Sequence, residues 1–384
     1  MLWHDWRAYR RFNALPPRDR AIVFYSETHQ DWHHLDPLIE ELTGGLGRTV
    51  CHVTSDAALP PARPGLHPFR IRSRTARTWL FQMLRADVMV LTMLDLHNFH
   101  LKRSIHAVHY VYVFHNIGST HMVDHASSYD HYDSLFCVGP HHEAEIRRRE
   151  ALHGLPAKHL FAQGYPRLDR LVQAAAARPP SEPRGPGTVL LAPTWGEQST
   201  LHVCGGPLIS ALLGAGVGVI LRPHYQTTRL APRLVQGLRD RFGAESGFRY
   251  VDRMDETDSL FTSDVLVCDW SSMAIEYALG LGKPVLFVDV PPRVRNPAYT
   301  DLGLEPLELR IRRELGAILP LDRVAEAPAA VADLMAGGQG FRERMVELRA
   351  EWTYNPGRSA AMGAREIARL ADERAGTGAT GRPR

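Results

Sequence analysis

The stretch SDVLVCDWSSMAIEYALGLGKPVLFVD, residues 263–289, decides the fold. It opens on a short apolar run, VLVC, passes through Asp269, Trp270, Ser271 and Ser272, continues as a helical segment and closes on a second apolar run, PVLFV. Strand, sharp turn, helix, strand is the βαβ unit of a parallel sheet, and runs that are apolar throughout belong to strands buried on both faces. A turn needs only to reverse the chain. An acid, an indole and two hydroxyls at the carboxyl end of a strand stand where open α/β sheets bind ligands.

The same alternation extends to both sides. Downstream of residue 187 come TVLLAPTW, a helix around PLISALLGAG, VGVILRPHY, a helix through RLVQGLRDRFG, and FRYVDR. Upstream come AIVFYSE, the helical LDPLIEELTGGLG, TVCHVTSD, the helical RTWLFQMLRA, DVMVLTML, HYVYVFHNI, DSLFCVGP and HLFAQGYP. Between the halves lies RPPSEPRGPG, residues 178–187, whose Pro and Gly content reads as a linker. The expected architecture is α/β: two doubly wound, Rossmann-like parallel-sheet domains facing a cleft, followed by C-terminal helices. The expected divisions are an N-terminal domain at 1–177, the linker at 178–187, a C-terminal domain at 188–350, a helical segment at 351–375 and a disordered tail at 376–384.

The 384 residues are long for one core, which agrees with two domains. A formal net charge of +3 gives no electrostatic case for nucleic acid as a partner. The four cysteines, Cys51, Cys137, Cys204 and Cys268, form no CxxC, and three sit in strand-like runs, which favours a reducing compartment. No run reaches the roughly 18 apolar residues of a membrane span, and the N-terminus lacks a secretory h-region. The expected location is the cytoplasm, with peripheral contact at the inner membrane face through LWHDWRAYRRF, which mixes Trp and Phe with Arg as interfacial helices do. The alternative for that segment is a short helix packed on the N-domain.

Function is to be sought just after each strand: Glu27–Asp31, Asp95–Asn98, His115–His121, Gly164–Arg167, Thr194–Glu197, Arg222–Tyr225 and Asp269–Ser272. Ser271 and Ser272 fall at the start of a helix, where free N–H groups and the helix dipole favour an anion; a lone Ser there is as readily an N-cap. Arg222 and His224, fixed by Pro223 between them, suit a pyrophosphate; the alternative is a surface Arg and a satisfied His. Thr194 is a phosphate donor or a helix cap. His115, ending an apolar strand, is placed to act as a general base near neutral pH, or is a buried His bonded to a carbonyl. His121 and His125 have metal-ligand spacing, but no Cys pair or carboxylate motif completes a site, so no metal or other cofactor is expected. GxxxxGK[ST], GxSxG and a GxGxxG after the first strand are all missing, which disfavours P-loop, hydrolase and dinucleotide chemistry.

Six segments in order, HNIGSTH, GYPRLD, LLAPTWGE, VILRPHY, the quoted SDVLVCDWSS…IEYALGLGKPVLF and the late YNPGRSA, resemble the CDP-glycerol glycerophosphotransferase family of teichoic-acid enzymes, from about residue 86 onward. The resemblance implies a GT-B-like fold, an acceptor-binding N-domain, a nucleotide-binding C-domain, and transfer of glycerol phosphate or another polyol phosphate from a CDP-polyol to a lipid-linked or glycan acceptor, with release of CMP. It implies catalytic roles for His115 and His224. Arg222, Thr194, Asp269, Ser271, Ser272 and Glu276 become the donor and phosphate site, the last carboxylate reaching for ribose. Gly118, Ser119, Gly164, Pro166 and Arg167 become the cleft and hinge. The chain departs from the family's usual His-Gly-Thr at His115-Asn116-Ile117-Gly118-Ser119, from Tyr at Trp270 and from Asp at Glu276. Two rival readings share the fold: a glycosyltransferase attacking the sugar carbon of a nucleotide sugar, and a non-catalytic nucleotide- or polymer-binding relative.

Overall fold

The computed structural model describes residues 2–99, 101–178, 185–252 and 256–380. Within them are two all-parallel sheets. The first contains β1 (Ile22–Ser26), β2 (Val50–Thr54), β3 (Leu66–Arg70), β4 (Val88–Leu91), β5 (His109–Val113), β6 (Ser134–Cys137) and β7 (His159–Ala162), in the order 3-2-1-4-5-6-7. The second contains β8 (Thr188–Leu191), β9 (Gly218–Leu221), β10 (Phe248–Tyr250), β11 (Val265–Cys268), β12 (Val285–Val288) and β13 (Gly316–Leu319), in the order 10-9-8-11-12-13. Each sheet reverses its winding direction once, between β1 and β4 and between β8 and β11. Those two switch points open the crevices in which such sheets hold ligands.

Most strands are those the apolar runs predict. β3 and β13 are additions, and both are edge strands, where half the hydrogen-bonding groups face away from the sheet and little apolar sequence is needed. β3 even carries Pro68, which an edge tolerates and a central strand does not. The expected linker lies for the most part outside the described residues, as do residues 381–384 of the expected tail. The last helix, Ser359–Thr380, runs five residues past the expected boundary at 375.

That last helix does not stay with the second domain. Ala364, Ile367, Ala368 and Ala371 pack on Leu38, Ile39 and Val88 and cover one face of the first sheet. Its start is fixed by two of the quoted segments meeting: Asp169 of GYPRLD accepts from the N–H groups of Gly357 (2.7 Å) and Ser359 (3.0 Å) of YNPGRSA, capping the helix with a carboxylate. Gly164, at φ 94°, lets the crossing chain in, since a Cβ there would lie 2.0 Å from the Tyr354 carbonyl oxygen. The domains also share apolar core: Leu168 and Leu171 of the helix Pro166–Ala176 pack against Ala278 and Leu279 of the helix Met273–Leu281, at a point where Gly280 has no space for a side chain.

A Cβ on Gly363 would lie 2.6 Å from Leu38 Cδ2 and 2.7 Å from Gln163 Nε2. Gly363→Val therefore lifts the last helix off the first domain and costs about 1–3 kcal/mol through overpacking. Urea denaturation checks this; an unchanged midpoint would show that the helix contributes nothing there.

Candidate functional site

The turn after β11 is built around Asp269. Its side chain is 0% exposed. Oδ1 accepts from the N–H groups of Thr194 (2.8 Å) and Trp270 (2.8 Å), and Oδ2 accepts from the N–H and hydroxyl of Thr200 (both 3.1 Å). The carboxylate thus ties the end of β11 to the loop after β8 and to the start of the helix Thr200–Gly214, across the switch point. This corrects the expectation that Asp269 contacts phosphate: its oxygens are taken by three backbone N–H groups, which would otherwise lack an acceptor, and by the Thr200 hydroxyl. Trp270 is likewise structural. Its Nε1 donates to the Val290 carbonyl at 2.8 Å and its ring lies under the Arg312 guanidinium at 4.0 Å.

The two serines are free for a ligand. Ser271 Oγ accepts from Met273 N at 3.3 Å, which leaves its proton to donate, and Ser272, the N-cap of the helix Met273–Leu281, makes no side-chain cap bond. Thr194 is half-buried beside them, its N–H held by Asp269. His224 completes this rim. Its Nδ1 accepts from Gln226 N at 3.1 Å, which fixes the proton on Nε2. Burial, with the nearby Arg293 charge, pushes the imidazole down to about 4, so it is neutral near pH 7 and offers Nε2–H as a donor. Trp195 stacks on it at 6.3 Å, and Arg293 lies over the Trp195 ring at 4.0 Å.

Arg222 sits differently from the expectation. It is 3% exposed, and its guanidinium donates to the Glu256 carbonyl (2.9 Å) and Ser259 Oγ (3.2 Å) and touches Met273 Sδ. The strand end points it beneath the floor of the crevice, where burial pushes it down to about 10. It supports the serine helix from below rather than facing a ligand. Glu276 is also spoken for: Oε1 accepts from the Tyr165 hydroxyl (2.8 Å) and Oε2 from Arg167 Nε (2.8 Å), both from the first domain. The carboxylate expected to reach for ribose closes the two domains on each other instead. Pro166 starts the helix that carries Arg167.

His115 lies two residues past the end of β5 in the first domain. Its Nδ1 meets the Tyr112 hydroxyl at 3.0 Å, and its carbonyl accepts from the Tyr165 hydroxyl at 3.2 Å. One tyrosine hydroxyl therefore touches both the backbone of His115 and the carboxylate one turn into the serine helix.

The loop that follows His115 is held from both sides. His141 and His142 donate through Nε2 to the carbonyls of Ile117 (2.8 Å) and Gly118 (2.7 Å), and Glu145 accepts from Thr120 N and Oγ1 at 2.7 Å each. From the second domain, Glu308 Oε1 accepts from Ser119 N at 3.0 Å, while Ser119 Oγ accepts from Leu307 N at 2.6 Å. Gly118 is required, since a Cβ would lie 2.1 Å from Glu308 Oε1. His121 pairs with Glu145 at 3.3 Å, and among the described residues no three His, Cys, Asp or Glu side chains gather to hold a metal.

Arg293 and Glu308 escaped the sequence reading. Arg293 follows β12, so the strand-end rule reaches it; Glu308 lies on a helix with no motif to mark it, and only the fold brings it to the loop.

The chain matches the profile of CDP-glycerol:poly(glycerophosphate) glycerophosphotransferase over residues 8–290, so the likeness begins well before residue 86. No curated protein matches. Among solved structures the fold is similar to the wall teichoic acid polymerase TagF (15% identity, TM-score 0.61, covering 97% of this chain and 95% of that one). A histidine variant of TagF soaked with CDPG has a TM-score of 0.59 at 15% identity, covering 97% and 94%. A UDP-forming α,α-trehalose-phosphate synthase from Burkholderia vietnamiensis has a TM-score of 0.51 at 12% identity, covering 92% and 99%.

Asp269→Asn keeps the shape but turns an amide N–H₂ on N–H donors. The expected cost is about 3 kcal/mol, because buried donors lose their acceptor. Hydrogen exchange at the amides of Thr194, Thr200 and Trp270 should accelerate together; wild-type exchange there would remove Asp269 from its organising role.

Proposed function

The chain belongs to the CDP-glycerol:poly(glycerophosphate) glycerophosphotransferase family, and we propose from that premise how its cleft moves glycerol phosphate. It is a transferase of GT-B-like fold whose activated donor is CDP-glycerol. The observation that carries the residue assignment is the Tyr165 hydroxyl, which joins His115 to the start of the serine helix across the domain boundary.

Phosphoryl transfer asks a protein mainly to position groups and to neutralise spreading charge. The hydroxyls of Ser271, Ser272 and Thr194 and Nε2–H of His224 supply hydrogen bonds to the diphosphate, with the positive end of the helix Met273–Leu281 behind the serines. Arg293 supplies charge on the Trp195 side. His115 takes the proton from the acceptor hydroxyl as that oxygen attacks the phosphorus bonded to glycerol. The new O–P bond forms in line with the breaking bond to CMP, which leaves with the electron pair. The acceptor hydroxyl belongs to a lipid-linked or glycan chain of a teichoic-acid-like polymer, bound on the first domain.

His115→Ala should lose at least about 100-fold in turnover, the usual weight of a general base, while still binding CDP-glycerol by calorimetry. Near-normal turnover would remove the role. Offering the protein a panel of CDP-polyols and nucleotide sugars separates this chemistry from sugar transfer: CMP appears in the first case, and a nucleoside diphosphate in the second.

No helix among the described residues is long and apolar enough to cross a membrane. The helix Leu2–Ala14 supports a peripheral contact. Phe12 and Asp5 anchor it, Asp5 accepting from Ser73 N at 2.7 Å, while Trp3, 87% exposed, shares the outward face with Arg7 and Arg10 at i, i+4 and i+7. An exposed indole beside two guanidinium groups suits an anionic lipid surface. Vesicles containing phosphatidylglycerol should sediment the protein, and the triple change Trp3→Ala, Arg7→Ala, Arg10→Ala should abolish this; equal sedimentation of both would end the proposal.

A further inference from the structure

The helix Leu2–Ala14 presents three faces to its surroundings. Asp5 and Phe12 share the face anchored on the first domain, and Trp3, Arg7 and Arg10 share the face turned outward. His4, Ala8 and Arg11, at i, i+4 and i+7, share the third, which looks onto the edge strand β3. Two adjoining grooves of about 240 and about 230 Å³ run between that face and the strand, with Arg11, Pro68 and Phe69 common to both. Arg7 and Arg70 line the first groove, and His67 lines the second.

The groove is positive. Its carboxylate, Asp5, accepts from the N–H groups of Arg72 (3.3 Å) and Ser73 (2.7 Å) and is buried. Among the described residues no carboxylate comes within ion-pair reach of Arg7, Arg11 or Arg70. Arg11 holds its guanidinium 5.7 Å from the centroid of the Phe69 ring, and Arg70 gives Nη1 to the Ala57 carbonyl at 2.8 Å. Their other N–H groups are left for a ligand. Guanidinium forks match phosphate oxygens, and Pro68 and Phe69 offer apolar surface between the charges. A chain that alternates phosphate with short carbon segments meets both demands. We propose that this groove binds the phosphodiester chain of the growing polymer, holding acceptor units that trail behind the attacking hydroxyl.

The sheet supplies the spacing. Arg70 ends β3 and His115 lies just past β5, both at the carboxyl ends of their strands. In the order 3-2-1-4-5 the two strands are four steps apart, which is about 19 Å at the usual strand spacing. A glycerol phosphate repeat has about six backbone bonds and spans about 7 Å when extended, twice the reach of the three bonds of an amino-acid residue. A hydroxyl at His115 and a phosphate at Arg70 therefore stand about three repeats apart. Shorter acceptors do not reach the groove; longer ones gain its contacts and are extended in preference. The inference rests on His115 facing the acceptor hydroxyl and on glycerol phosphate as the transferred unit.

Initial rates and calorimetry with a glycerol phosphate dimer and a hexamer as acceptors test this. In the wild type, KM for the hexamer should lie at least about 10-fold below that for the dimer, and the difference should shrink as salt is added. The double change Arg11→Ala, Arg70→Ala should raise the hexamer KM to the dimer's, with kcat, the dimer KM and the KM for CDP-glycerol unchanged. Equal KM values in the wild type, or a hexamer advantage that survives the double change, would overturn the site. So would a loss that falls as heavily on the dimer, since the arginines then only support the fold. Vesicles containing phosphatidylglycerol separate the polymer from a lipid headgroup. The double variant keeps Trp3, Arg7 and Arg10 and should sediment like the wild type; lost sedimentation with the hexamer advantage intact assigns the groove to lipid and ends the proposal. His115→Ala should still bind the hexamer more tightly than the dimer. If it also turns over normally, the general base is wrong and the groove stands. Should the double variant fail to fold, Arg11→Glu alone decides, since Arg11 is exposed.

Discussion

The crevice of the second domain depends on one carboxylate with no access to water. At a switch point, neighbouring strands send their chains in opposite directions, and the backbone N–H groups released there have no ladder to join. Asp269 takes up those of Thr194, Thr200 and Trp270 at once. The loop after β8, the turn after β11 and the start of the following helix become one rigid body. Rigidity is what a phosphate site requires, since its donors must be in place before charge develops on the transferring group.

A second constraint joins the domains. The loop after His115 is gripped by His141, His142 and Glu145 of its own domain and by Ser119's exchange with Leu307 and Glu308 of the other. Glu276, Tyr165 and Arg167 form the second grip. Burial pushes the Glu308 carboxyl up to about 7, so this grip contains a carboxyl that titrates near neutral pH. The backbone of His115 and the loop after it are thereby set by residues of the other domain, and the shared apolar core beside Gly280 keeps the two sheets in register.

Segments that look like separate motifs in the chain prove to be halves of single devices. GYPRLD and YNPGRSA meet where Asp169 caps the last helix. VILRPHY and the serine turn meet where Arg222 underpins Met273. In each pair a charged side chain satisfies backbone or side-chain groups of a distant segment, which explains why such residues read as functional although their work is to shape the site.

Much of this was legible in the sequence because it depends on local periodicity and chemistry. Apolar runs such as VLVC and VLFV can only be strands buried on both faces, and alternation with helices can only give parallel sheets, so the two doubly wound domains and the strand ends that face the crevice follow from the chain alone. The hydroxyl pair at 271–272 and the histidine at 115 were legible for the same reason: they follow such strands, at the sheet edge where ligands bind. Edge strands β3 and β13 were not, because an edge needs little apolar sequence. Nor was the division of labour among polar residues. Asp269, Arg222 and Glu276 have the chemistry of ligand-binding groups, and only the packing shows that buried donors, a sulfur atom and a partner domain claim them first. Glu308, Arg293 and the tyrosines behind His115 belong to the site through contacts between distant segments. The sequence alone determined which strand ends line the crevice; the tertiary structure decided which side chains there remain free, because a polar atom's role depends on whether the fold has already satisfied it.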